Sequence, residues 1–171
     1  MSDRQGLEPG VPCWVQGVHP DPWEPRGRAG AELVNEPGAW AISALSTDDP
    51  EACKAFYRAV FGWETEAFDL GGAQMTMWKL PGYVGGEPEQ PVSRDVVATM
   101  VPPAEEGPGG PARWTVDFWV TSLDDALRTI GEFGGQVAGG PYDVPEVGMR
   151  QAVIADPQGA TLSLTQPPQV G

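Results

Sequence analysis

The order strand, helix, three strands occurs twice along this chain, and no other feature narrows its fold as much. The first pass opens at Ala39-Trp-Ala-Ile-Ser-Ala-Leu45, which reads as a strand. Asp49 is a natural N-cap, Pro50 suits the first helical position, and Glu51 complements the helix dipole. Phe56 and Val60 stand four apart, as do Tyr57 and Phe61, so the helix carries an apolar stripe that must pack on a neighbour. Gly62 stops it in the position where a left-handed residue is wanted. Strands are expected over 63–68, 74–80 and 96–101, with Gly71-Gly72 turning between the first two. The pattern then restarts with a strand over 114–120 and a helix capped by Ser122, reaching about Phe133 and ending at Gly134-Gly135. Leu123, Ala126, Leu127 and Ile130 form its stripe, and strands over 136–138, 150–155 and 160–165 complete the unit.

Two such βαβββ modules, neither able to cover its own sheet alone, predict an α+β domain over 39–166. The modules span 39–101 and 113–166. Between them lies a Pro- and Gly-rich linker, 102–112. Residues 1–38, broken by Pro20, Pro22, Pro25, Gly27, Gly30 and Pro37, read as an irregular arm, with Trp14 and Trp23 able to lie against the body.

Composition excludes several classes of function. Ten basic against twenty-four acidic residues give a net charge of −14, which repels phosphate backbones and anionic lipid. Nucleic acid and membrane are therefore not expected partners. No window has the run of apolar residues that a membrane helix needs, and the N-terminus has no signal-peptide core, so a cytoplasmic location is expected. Cys13 and Cys53 are not expected to pair. The single histidine, His19, rules out Ser-His-acid or Cys-His catalysis, and no glycine pair has the context of a phosphate-binding loop.

Lys54-Ala-Phe-Tyr57 to Phe61-Gly-Trp63, Val120-Thr-Ser-Leu-Asp-Asp-Ala-Leu127 and Asp156-Pro-Gln-Gly-Ala160 together resemble the vicinal-oxygen-chelate superfamily, the glyoxalase, bleomycin-resistance and dioxygenase group. Gly30-Ala-Glu-Leu-Val-Asn-Glu-Pro-Gly-Ala-Trp40 further resembles the opening of the second domain in two-domain, hydroxylase-like members. The resemblance implies a curved mixed sheet forming a cup, with the helices on its outer face. It also implies a divalent metal held by ligands on the first and last strands of each module, and a homodimer where one cup partner is missing.

Strand alternation tests that implication. Leu45 and Ser43 should face the helix, leaving Trp40, Ile42 and Ala44 toward the cup, where relatives carry Glu or His near the position of Ala44. In the second module Thr115, Asp117 and Trp119 should point inward, as should Thr161, Ser163 and Thr165. The family's glutamate stands where this chain has Ser163. A divalent metal needs at least three His, Asp or Glu donors, and this cup offers Asp117 alone. No metal and no cofactor are expected.

The expected site is instead a pocket walled by Trp40, Trp78 and Trp119, with Ile42, Ala44, Thr115, Thr161 and Ser163 lining it. Tyr142, Asp143 and Arg150 are expected in a loop above the second module, with Arg150 able to reach a ligand and either Arg150 or Arg113 able to pair with Asp117. Asp117 is the candidate catalytic residue, because a carboxyl facing an apolar cup is raised toward neutrality by desolvation. The expected function is metal-free binding of an aromatic or cationic small molecule. The alternatives are a metal-independent biosynthetic enzyme (cyclase, isomerase or hydrolase) with Asp117 as acid or base, and a divalent-metal lyase or dioxygenase using Glu64, Glu66 and Asp117 across a dimer.

Overall fold

The computed structural model describes residues 37–70, 73–82, 95–101 and 112–168. Residues 1–36 of the arm proposed over 1–38, most of the linker over 102–112, the Gly71-Gly72 turn, and the residues Cys13, Trp14, His19 and Trp23 lie outside them.

The first module contains β1 (Trp40–Ser46), α1 (Pro50–Phe61), β2 (Glu64–Leu70), β3 (Ala73–Lys79) and β4 (Val96–Val101). The second contains β5 (Arg113–Trp119), α2 (Leu123–Glu132), β6 (Gln136–Val144), β7 (Met149–Ala155) and β8 (Thr161–Gln166). Both helices start as their sequences dictate. Asp49 Oδ1 accepts the Ala52 N–H at 3.0 Å and Ser122 Oγ accepts the Asp125 N–H at 3.3 Å. Gly62 takes the left-handed conformation (φ 71°) that ends α1. A side chain from the far end of the chain also caps α2: Gln166 Oε1 accepts the Leu123 N–H at 2.8 Å.

All eight strands form one mixed sheet in the order β2-β3-β4-β1-β5-β8-β7-β6. Within each module the first and last strands run parallel, β1 with β4 and β5 with β8, and the modules join where β1 pairs antiparallel with β5. The α+β architecture of paired βαβββ modules is thus present. Each helix covers its own apolar cluster. Leu45, Trp63, Trp78, Val97, Ala98 and Met100 pack with Cys53 and Tyr57 of α1, while Leu123, Ala152, Ile154 and Leu164 pack with Ala126, Leu127 and Ile130 of α2. Tyr57 ties the first cluster together, stacking on Trp63, meeting Trp78 edge-on and accepting the Trp114 indole N–H at 2.7 Å.

Three placements differ from the sequence reading. Trp78 lies in the core beneath α1, fully buried, and not on the cup face. A register shift between Trp40 and Ile42 sets Trp40 opposite Phe118, a residue of the α2-side cluster, out of step with Ile42 and Asp117. Strand β6 continues past Gly139-Gly140 through two register shifts, so Tyr142 and Asp143 belong to a β6–β7 hairpin and not to a loop.

Candidate functional site

The face of the sheet opposite the helices is built from three rows of paired residues. One row runs Met77, Thr99, Ala44, Thr115 across β3, β4, β1 and β5. The next runs Ile42, Asp117, Ser163, Val153 across β1, β5, β8 and β7. The third runs Trp119, Thr165, Gln151, Tyr142 across β5, β8, β7 and β6. Because paired residues share a face, five of the expected lining residues, Ile42, Ala44, Thr115, Trp119 and Ser163, come together with Asp117. Thr161 stands at the exposed start of β8, opposite Ala155.

Asp117 is the centre of this face and is only 2% exposed. Ser163 Oγ donates to Asp117 Oδ1 at 2.7 Å and Thr165 Oγ1 donates to the same oxygen at 2.9 Å. Gln151 Nε2 donates in turn to Thr165 Oγ1 at 3.1 Å. Ser163 lies a further 3.3 Å from the Val116 carbonyl, so the shorter contact to Asp117 governs its hydroxyl. Burial pushes the Asp117 carboxyl above the ordinary aspartate range, against the opposing pull of Ser163, Thr165 and Gln151. The result is a carboxyl that holds a proton more readily than an ordinary aspartate, and that could exchange one or pair with a cation.

Arg150 is not part of this centre. Its guanidinium forms a bidentate pair with Asp124 of α2, at 2.9 and 3.0 Å, and reaches Asp143 at 3.2 Å. Those hydrogen bonds hold Asp124 below its usual range, and they place Arg150 on the helix side of β7, where it meets neither Asp117 nor the cup. Sequence alternation carried this information, since Gln151 and Arg150 are neighbours on one strand and only one can face the cup. Gln151 is the site residue the sequence reading missed. Pairing β7 with β8 across the Asp156-Pro-Gln-Gly-Ala160 turn puts it beside Thr165.

The donor set does not suit a divalent metal. The end strands of the modules present Ile42, Ala44, Thr99, Thr115, Asp117, Ser163 and Thr165 inward, a single carboxylate among hydroxyls and hydrocarbon. No group of three His, Cys, Asp or Glu suited to a metal occurs among the described residues. Glu64 and Glu66 are on β2, separated from β5 by β3, β4 and β1, which is roughly 19 Å at ordinary strand spacing. Glu66 is moreover paired with Lys79 at 2.8 Å. Within one chain these carboxylates and Asp117 cannot share an ion.

Comparison with known proteins agrees with this architecture. The family model described as a glyoxalase-like domain matches residues 41–165. A protein of Mycobacterium bovis named "Putative glyoxylase CFP32" is 35% identical over 145 residues, which cover 85% of this chain and 50% of that protein. The anthracycline biosynthesis protein DauV of Streptomyces sp. strain C5 is 33% identical over 133 residues, covering 75% of this chain and 46% of DauV. The chain thus spans about half the length of the curated relatives it matches. Among solved structures, a hypothetical protein of Bacillus halodurans C-125 superposes with a TM-score of 0.50 at 13% identity, covering 77% of this chain and 96% of that one, a likeness of fold.

Proposed function

The chain belongs to the glyoxalase-like domain family, and on that premise we propose that it binds an aromatic, cationic small molecule in the cup without a metal, with Asp117 as the recognition group. The observation that supports this most is the buried Asp117 carboxyl, held by hydroxyls and facing a wall that contains Ile42 and Trp119. A ligand cation would offset the cost of ionising a carboxyl at so dry a position, and the aromatic wall favours a flat ligand. The net charge of −14 attracts cations toward the same site. One relative is named for anthracycline biosynthesis, which suits a cup for a conjugated molecule. In solution we place the protein as a cytoplasmic homodimer that touches neither nucleic acid nor membrane; no helix among the described residues is long and apolar enough to cross a bilayer.

The test is quenching of tryptophan fluorescence by proflavine, a flat aromatic cation, against acridone, its neutral counterpart. Proflavine should bind the wild type at least tenfold more tightly than acridone, and Asp117→Asn should remove that preference, a difference of about 1.4 kcal/mol or more. Equal binding of both probes to both proteins would refute the reading.

A second reading is supported by one feature, the carboxyl raised by burial. That is the state a general acid or base requires, and it suits a metal-independent cyclase, isomerase or hydrolase that holds its substrate in the cup. Chemistry of this kind would vanish in Asp117→Asn while binding of the substrate persisted.

A further inference from the structure

Both hydroxyls that hold Asp117 reach the same oxygen, Oδ1. An sp2 oxygen has two lone pairs, and here two O–H groups from β8 take them. When Asp117 is neutral, its proton therefore belongs on Oδ2, the oxygen that neither hydroxyl reaches. The direction of the Thr165 bond is itself imposed. An amide nitrogen only donates, so Thr165 Oγ1 must accept from Gln151 Nε2, and the single hydroxyl hydrogen of Thr165 is left for Asp117. With the amide turned the other way, Thr165 would donate to Gln151 and leave Asp117 short of a bond.

We infer that Gln151 is the positioning residue of this cup: acting partly through Thr165 and partly on Asp117 itself, it helps clamp Oδ1 of Asp117 and leaves Oδ2 as the atom that meets a ligand or substrate. The inference deepens the reading of Asp117 as the recognition group and rests on it, but the clamp exists in the ligand-free protein and is measurable there. Few other groups perturb Asp117 from its own face. Arg113 is two pairs along β5 at the exposed end of that face, and Tyr142 is opposite Gln151 on β6. Strands β1, β4 and β8 present Ile42, Ala44, Thr99, Ser163 and Thr165 there, none of which carries charge. Arg150 is paired with Asp124 and Asp143 on the opposite face.

The experiment follows the side-chain carboxyl carbon of Asp117 by NMR across pH in the ligand-free full chain. Gln151→Leu should move the Asp117 midpoint upward, because Thr165 is no longer obliged to donate to the carboxylate. Thr165→Val should move it upward as well, and Thr165→Ser should restore it. The double variant should move it by less than the sum of the two singles, since Gln151 acts in part through that hydroxyl and in part on Asp117 itself. Gln151→Met, of similar length and without a donor, replaces Gln151→Leu if the latter does not fold. A wild-type midpoint in the Gln151 variants, or a double variant that shifts by the sum of the singles, overturns the inference. A midpoint that moves as described while proflavine fails to bind supports the positioning role and refutes only the binding reading.

Discussion

Thr165→Val tests the energetics of the clamp most directly. The two side chains have nearly the same shape and both are β-branched, so strand preference in β8 is retained and only the hydroxyl is lost. At 4% exposure that hydroxyl has no water to replace it. It accepts from Gln151 at 3.1 Å and donates to Asp117 at 2.9 Å, so the substitution removes two hydrogen bonds and leaves both partners short. A bond to a carboxylate contributes about 1.5–3 kcal/mol and a neutral one about 0.5–1.5 kcal/mol. The added methyl returns about 1 kcal/mol of apolar burial. A net loss of about 1–3 kcal/mol is expected, read from urea unfolding with an unchanged slope. The loss should also depend on pH. Burial holds the folded Asp117 above its unfolded value, so stability falls as pH rises from the ordinary aspartate range through the folded midpoint, then levels. Removing a donor raises that midpoint further. Wild type and variant therefore differ least in acid, where the carboxyl is neutral in both states, and most once it has ionised. A loss under 0.5 kcal/mol, or one that does not change between acid and neutral pH, would refute the account of a carboxyl held by hydroxyls.

Asp117→Asn keeps an acceptor for both hydroxyls and removes the buried charge, so its stability curve should lack the decline that wild type shows above the ordinary aspartate range, measured by the same unfolding series. Trp78 is fully buried with an indole N–H that has no partner among the described residues, so Trp78→Phe should cost much less than Trp78→Ala, for which about 3–5 kcal/mol is expected by urea unfolding. Arg150→Met should leave proflavine affinity within about twofold of wild type, since its guanidinium is occupied on the helix side; a tenfold loss by fluorescence titration, about 1.4 kcal/mol, would place it back in the cup. Zinc or manganese added to the protein, or exhaustive chelation, should leave its melting temperature unchanged, because the described cup offers one carboxylate; a rise of several degrees at equimolar metal would show ligands in trans.

Local rules carried most of the fold. Asp49, Pro50 and Gly62 bound α1, Ser122 caps α2, and the repeated order of elements implies one sheet from two units. What the sequence did not carry is where alternation breaks. A single extra residue between Trp40 and Ile42 takes Trp40 out of step with the cup, and nothing in Ala39-Trp-Ala-Ile42 signals it. Strand β6 is hidden for a related reason. Gly139-Gly140-Pro141 has the composition of a turn, yet pairing with β7 resumes at Tyr142, and turn chemistry is overridden by the neighbouring strand. Trp78 is misplaced because an aromatic residue satisfies a pocket and a core equally well, and only its contact with Tyr57 and Trp63 decides between them.

Asp117 was legible because it is an acidic residue alternating with apolar and aromatic ones, which is costly unless something holds it. Alternation also set Ser163 and Thr165 on the cup face, but not Gln151, an ordinary amide on β7 about 34 residues away in the chain. The register that joins them also sets what Ser163 can do. It is too short and too weak a ligand for a divalent ion, but it is the right length to donate to a carboxylate on the adjacent strand. Donation from Ser163 and Thr165 holds Asp117 at Oδ1. Replacing the donor by an acceptor should undo this: Ser163→Glu sets a second carboxyl beside Asp117, which should raise the Asp117 midpoint by like-charge repulsion and abolish proflavine's preference for the cup. An Asp117 titration that falls in that variant would mean that the two carboxyls already share a cation, and that the clamp described here is not what sets the chemistry of the site.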